Sequence, residues 1–260
     1  ATDNHEAAKA LRRLTDPAST IAEIYTPEFD YDGLRTDPKV IHNHDFMKNP
    51  DYLRGYARGA AAHGEDPKQY WRMHVALWCA SLARRLDGDF VECGVWKGFL
   101  SLAIMEYLDW NSLGKRFFLF DTFAGLEEKY LSDSEKTMTD KIEHLQRYYR
   151  KTNFEAVQAN FAPFQNVHFV RGSVPDTLAE VNVGKVCYLS LDMNNAYPEI
   201  EAAKFFWNKL VPGAPILLDD YGFVSYEEQK RAFDRFAEER GVAILALPTG
   251  QGLMIKPWRF

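Results

Sequence analysis

The chain has 260 residues, a formal net charge of −6, and 46% hydrophobic and 26% charged residues. That composition suits one soluble α/β domain with an extension, or at most two small domains, and the negative balance argues against a broad nucleic-acid-binding surface. No apolar run approaches the ~18 residues of a membrane span, and the start of the chain lacks the apolar centre of a signal peptide. The three cysteines, Cys79, Cys93 and Cys187, show no metal-ligand spacing, so buried free thiols in a cytoplasmic setting are expected.

Residues 1–66 are polar and rich in aromatics, with turns at Pro27, Asp37-Pro38 and Asn49-Pro50. They read as an N-terminal helical and loop extension, with a short helix near 51–62, lying on a main domain of residues 67–260. His42 and His44 belong to a loop of this extension, either solvated or covering a site. Residues 70–86 read as an amphipathic helix with Trp71, Val75, Trp78, Cys79 and Leu82 on one face.

The stretch Phe90-Val91-Glu92-Cys93-Gly94-Val95-Trp96-Lys97-Gly98 follows. An apolar run ends in an acid and two glycines, and a helical pattern begins at Phe99. This reads as a buried strand, a glycine turn that lets backbone approach a ligand, and a helix. The spacing is GxxxG, not the GxGxxG of dinucleotide folds nor the GxxxxGK[ST] of a P-loop. An acid with two glycines here suits S-adenosylmethionine (SAM), whose charged end is an amino acid; the alternative is a tight turn in some other α/β protein.

Beyond this turn, strand-like runs at 116–123, 167–174, 185–193, 214–221, 242–248 and 252–256 alternate with helical patterns at 99–108, 140–149, 155–161, 199–210 and 226–240. Such alternation predicts a mainly parallel sheet covered on both faces. The short turn before the last run makes the final strand antiparallel. The expected fold class is therefore α/β: a Rossmann-like, seven-stranded class I SAM-dependent methyltransferase sheet with an antiparallel last strand. Ligands in open α/β sheets lie beyond the carboxyl ends of the strands.

Acids recur at those ends: Glu92 after the first strand, Asp121 after the second, Asp192 after the fourth, Asp219 and Asp220 after the fifth. A carboxylate after the second strand suits the two hydroxyls of a ribose, and Gly172-Ser173 after the third suits adenine. Asp192, Asp219 and Asp220 converge if the fourth and fifth strands are neighbours. Three carboxylates together repel and raise one another's pKa unless a cation such as Mg²⁺ neutralises them; alternatively Asp219 or Asp220 caps the following helix.

The string running through VECGVWKG, FLFDTFAGL, NF, VRGSVPDTL, the strand ending at Asp192 and VPGAPILLDDY resembles the macrocin O-methyltransferase family, over roughly residues 70–257. That family includes enzymes that methylate sugar hydroxyls on macrolide and aminocoumarin antibiotics. The resemblance implies a SAM site at Glu92, Gly94, Asp121, Gly172 and Ser173, a divalent metal (Mg²⁺) at Asp192, Asp219 and Asp220, and a homodimer or larger homo-oligomer. One departure stands out. Family members often carry DxD at the fourth strand, whereas this chain has Asp192-Met193-Asn194-Asn195.

The implied reaction is transfer of a methyl group to an alcohol, which demands alignment and proton removal. A metal on two neighbouring hydroxyls would serve both needs, so the expected acceptor carries a vicinal diol, as sugars, oligosaccharides such as mannosides, antibiotic deoxysugars and catechols do. Trp96, Tyr197 and Tyr221 are candidates to stack on a sugar face, if they are not simply core. Of the seven histidines, His144 is the expected general base. An unperturbed imidazole titrates near pH ~6.5, and His144 follows the second strand and lies sixteen residues before Asn160 of the NF motif, a spacing seen in the family. The alternative for it is a solvated helix residue. Competing readings of the whole chain are a non-catalytic SAM-binding scaffold, a catechol-type methyltransferase and, less favoured without GxGxxG, an NAD-dependent oxidoreductase.

Overall fold

A computed structural model describes residues 43–149 and 152–258. In chain order the helices are α1 (Pro50–His63), α2 (Tyr70–Ala83), α3 (Phe99–Tyr107), α4 (Asp133–Lys136), α5 (Thr139–Tyr149), α6 (Phe154–Phe161), α7 (Ala196–Trp207) and α8 (Glu227–Glu238). The strands are β1 (Asp89–Cys93), β2 (Phe117–Asp121), β3 (Val167–Arg171), β4 (Val186–Leu191), β5 (Pro215–Leu218), β6 (Leu245–Ala246) and β7 (Gly252–Ile255). They form one seven-stranded sheet in the order β3-β2-β1-β4-β5-β7-β6. The pairs among β1 to β5 are parallel, and β7 runs antiparallel to both β5 and β6. The expected final hairpin is present, though β6 is only two residues long.

Side chains of the central strands alternate between two cores, as a period of two requires. Phe90, Phe117, Leu119 and Tyr188 pack with α2 and α3 on one face, while Val91, Cys93, Phe118, Phe120 and Leu189 pack with α7 and α8 on the other. Each fully buried Phe or Leu contributes about 1.5–3 kcal/mol, so the sheet is held from both sides. All three cysteines are free and buried. Among the described residues no helix is long and apolar enough to cross a membrane.

Helix α1 lies tightly on α3: a Cβ at Gly59 would come 2.3 Å from the Phe99 carbonyl oxygen, and one at Gly55 2.8 Å from that of Ala103. His42 lies outside the described residues. His44 is the residue before a 3₁₀ turn (Asp45–Lys48) and does not line the main cavity.

The face expected to be buried on α2 is corrected. Met73, Ala76, Leu77, Cys79, Ala80 and Ala83 are buried, whereas Trp78 is 48% and Leu82 39% exposed. Ala76, Ala80 and Ala83 on the buried side let the helix approach the sheet, and Trp78 and Leu82 are left outside. Arg72, on this same apolar helix, is only 3% exposed.

Four backbone bonds just past the strands align the carboxyl edge: Gly172 N–H to Asp121 O (2.9 Å), Gly94 N–H to Phe120 O (2.8 Å), Asp192 N–H to Cys93 O (2.8 Å) and Asp219 N–H to Leu191 O (3.0 Å). The sheet's pairing thus fixes the residues on which the site is built. Gly94 has φ 92°, and a Cβ there would lie 1.6 Å from the Asp192 carbonyl oxygen. Its glycine is demanded by the neighbouring strand's backbone, rather than by a ligand alone.

The segment between β2 and α5 is fastened across that edge. Ser132 and Glu135 form a capping box on α4, Glu135 also accepts from Ala196 N–H (2.9 Å) at the start of α7, and Ser132 donates to Glu228 of α8 (2.7 Å).

Candidate active site

A cavity of about 400 Å³ opens at the carboxyl edge of the sheet. It is lined by every residue expected to bind SAM or metal, and by His144. Glu92, Gly94, Trp96, Asp121, Gly172 and Ser173 line one part of it; Asp192, Asn194, Asp219, Asp220 and Tyr226 line it farther along the sheet.

Glu92 is 3% exposed, and its Oε2 has no hydrogen-bond partner among the described residues. Burial, helped by the charges of Asp121 and Asp219, pushes its carboxyl up to about 8. A buried acid with an unmet oxygen suits a cationic group such as an ammonium. Asp121 is already engaged: one oxygen accepts from the amides of Val95 (2.6 Å) and Trp96 (2.7 Å), the other from that of Phe123 (2.6 Å). This carboxylate therefore holds the glycine turn itself in shape, besides facing the cavity. Ser173 Oγ donates to Glu127 (2.9 Å).

The second group is an acidic wall. Burial and the charges of Asp219 and Asp220 push Asp192 well above the usual carboxylate range. Burial and Asp219 push Asp220 up to about 7, and its buried Oδ2 has no partner among the described residues. Glu199 stands behind them; burial and Asp220 raise it to about 8, although Met193 N–H (2.9 Å) and Gln229 (3.0 Å) donate to it. Asp219 is held differently. Buried Arg72 donates to its Oδ2 and, at 3.1 Å, to its backbone oxygen, while Gln251 donates to Oδ1 (3.2 Å). Arg72 also reaches the Thr249 carbonyl (3.3 Å) and lies 4.9 Å from the Phe223 ring centre.

The donor chemistry fits a hard divalent cation: oxygens only, mutual repulsion, and one buried carboxylate oxygen left orphaned. The wall is not a closed cage. Among the described residues no three acidic, histidine or cysteine side chains are set to hold a metal, and Asp219 is paired with Arg72. Neither Asp219 nor Asp220 caps α8, whose preceding residue is Tyr226.

His144 sits on the cavity wall, on α5, its ring parallel to that of Tyr148 at 6.1 Å. Trp96 lines the cavity as expected, stacked on Tyr148 (4.7 Å) and edge-on to Tyr149 (5.5 Å). The other two expected aromatics do not line it: Tyr197 is 47% exposed, and Tyr221 is buried and bonded to Asp234 (2.6 Å). Tyr130, Tyr148, Tyr149 and Tyr226 take that role. His63 was missed too. It is buried in the wall, its Nε2 is 3.2 Å from the Tyr148 hydroxyl, and burial pulls its pKa down. His74 stacks on Phe46 (4.1 Å) and His168 on Phe118 (4.9 Å), both away from the site. Of the missed residues only Arg72 left a signal, a lone charge in the apolar run Tyr70–Ala83.

A sequence profile of the family described as Macrocin-O-methyltransferase (TylF) matches residues 73–245. A curated relative from Streptomyces olivaceus, 8-demethyl-8-(2,3-dimethoxy-alpha-L-rhamnosyl)-tetracenomycin-C 4'-O-methyltransferase, is 28% identical over 145 residues, 54% of this chain and 55% of the relative. The chain thus spans about half the length of the curated relative it matches. Among solved structures, the O-methyltransferase NovP is similar with a TM-score of 0.62 at 18% identity, over 72% of this chain and 80% of that one. The calicheamicin methyltransferase CalS11 follows with 0.57 at 15%, over 85% and 87%. These two likenesses, with the observed strand order, establish the class I methyltransferase fold. Because the family profile spans well over half of the sequence, the chain belongs to the macrocin O-methyltransferase (TylF) family.

Proposed function

We propose that this chain is a SAM-dependent O-methyltransferase acting on a sugar hydroxyl. The observation that carries the reading is one cavity holding both a buried, unmet Glu92 beside a glycine turn and an acidic, amide- and phenol-lined wall. Family membership supports the chemistry, and the Streptomyces olivaceus relative, named as a 4'-O-methyltransferase of a rhamnosyl-tetracenomycin, supports the acceptor class.

Glu92 is proposed to meet the cofactor's ammonium, Asp121 its ribose hydroxyls through lone pairs not spent on the turn, and Gly172 and Ser173 its adenine. SAM supplies a methyl group on a positive sulfur. Mg²⁺ is proposed at the acidic wall, where Asp192 and Asp220 are the carboxylates open to it and Asp219 joins by releasing Arg72. Such a cation would bind neighbouring hydroxyls and favour the alkoxide. His144 is proposed to take the proton of the acceptor hydroxyl, and Trp96 with the tyrosines of α5 to wall off water and seat the sugar ring.

The test is a methyl-transfer screen over sugars, oligosaccharides, glycosylated antibiotics and catechols, with Mg²⁺ and with excess chelator, beside calorimetry with SAM and NAD. SAM binding, turnover on a vicinal-diol sugar and loss of turnover in chelator are expected. NAD binding without SAM binding, or SAM binding with no transfer to any sugar, refutes the reading. Light scattering of the full chain tests the proposed homo-oligomer.

A further inference from the structure

Asn194 ties three walls of the cavity together. Its backbone has φ 55°, a left-handed conformation that Asn adopts far more readily than most residues. Its Nδ2 donates to Asp192 Oδ1 (3.1 Å) and to the Tyr149 hydroxyl (3.4 Å), and its Oδ1 accepts from the Tyr226 hydroxyl (2.6 Å). The reverse amide orientation would set Oδ1 against the carboxylate, so the network fixes which end points where. Both amide hydrogens and one carbonyl lone pair are in use, which leaves Asn194 little with which to bind a substrate. A carboxylate here would meet Asp192 with no hydrogen between them and add a charge to a wall that already holds Asp192, Asp219, Asp220 and Glu199.

Tyr226 is itself held in place. The Lys141 ammonium lies 3.1 Å from its ring centre and donates to the Ser225 carbonyl (2.7 Å). The chain of contacts therefore runs from the start of α8 through Asn194 to Asp192. Asp192 Oδ1 is bonded, and its Oδ2 takes no hydrogen bond among the described residues.

We propose that Asn194 is a positioning residue, braced by Tyr226, that turns the Asp192 carboxylate so that Oδ2 is presented to a divalent cation. This rests on the cation site proposed above. Partners that orient a ligating carboxylate govern affinity, and their loss typically weakens metal binding about 10–100-fold.

The test is calorimetric titration of Mn²⁺ into the full chain and its N194G, Y226F, N194G/Y226F and D192N variants, with SAM affinity and melting temperature measured alongside. Gly accepts the left-handed backbone, and Phe keeps the ring beneath Lys141. Expected is a weakening of Mn²⁺ binding by about 10–100-fold in N194G, with SAM affinity little changed and the melting temperature lowered by the lost hydrogen bonds. Y226F should weaken Mn²⁺ less, and add nothing once Asn194 is gone, because it acts through that side chain. Mn²⁺ binding that D192N abolishes but N194G leaves unchanged overturns the role of Asn194 alone. Equal effects of Y226F with and without Asn194 overturn the bracing; should N194G fail to fold, Mn²⁺ binding left unchanged by Y226F alone overturns it. No Mn²⁺ binding by the parent, or binding that survives D192N, overturns the cation site and this role with it.

Discussion

Replacing Arg72 by Met tests the energetics of the acidic wall directly. Arg72 is 3% exposed, and its guanidinium meets the Asp219 carboxylate, the Asp219 backbone oxygen and the Thr249 carbonyl. Met fills much of the same space but offers no donor. The variant leaves a largely buried carboxylate with Gln251 as its remaining side-chain donor, next to Asp220 and near Asp192. Removing one partner of a buried pair destabilises by about 3–5 kcal/mol, whereas replacing both partners by neutral groups is often close to neutral. In a domain of this size each kcal/mol moves the melting temperature about 2–4 °C, so R72M should melt roughly 6–20 °C below the parent. R72M/D219N should recover most of that loss. The assay is calorimetric melting at pH 7.5 in excess chelator, so that no adventitious cation stands in for the guanidinium. R72M melting within about 2 °C of the parent, or a double variant melting as low as R72M, would show that the pair does not hold the wall.

Asp121→Ala strands the amides of Val95, Trp96 and Phe123; losing charge-assisted bonds worth about 1.5–3 kcal/mol should weaken SAM by at least roughly tenfold in calorimetry, and unchanged affinity in a folded variant removes Asp121 from cofactor binding. His144→Ala should lower turnover about 10²–10⁴-fold with SAM affinity little altered; near-parental turnover would hand proton removal to another group. Glu92 gives a pH dependence. Its folded carboxyl is raised to about 8 while the unfolded chain gives up that proton near pH ~4.3, so the stability it contributes is present below that value and is lost as pH climbs towards 8. The ligand-free E92Q variant has no such proton to lose, and its melting temperature should fall less between pH 5 and 8 than the parent's; parallel curves would contradict the burial argument.

Much of the fold could be read locally. The strand, turn and helix around Gly94 and Gly98, the acids at the strand ends and the terminal hairpin are written in contiguous residues, through a period of two in strands, 3.6 in helices, and glycines where the chain must turn. That the acids share one cavity followed from topology, because parallel strands bring their carboxyl ends to one edge; His144 reaches it from α5. The same local reading misjudged α2. Periodicity could name an apolar stripe, but not whether the sheet accepts Trp78 and Leu82 or the smaller Ala76, Ala80 and Ala83.

What the sequence by itself determined was the scaffold and the set of chemical groups at its carboxyl edge. Only the tertiary structure decided how those groups divide their work. Arg72 and Asp219 are 147 residues apart, Tyr226 and Asn194 are 32 apart, and Asp121 reaches back 26 residues to Val95. No local pattern encodes such pairs. They form because buried charges and amides must find partners among whatever side chains the folded sheet brings within about 3 Å, and that neighbourhood exists only once the distant segments have packed together.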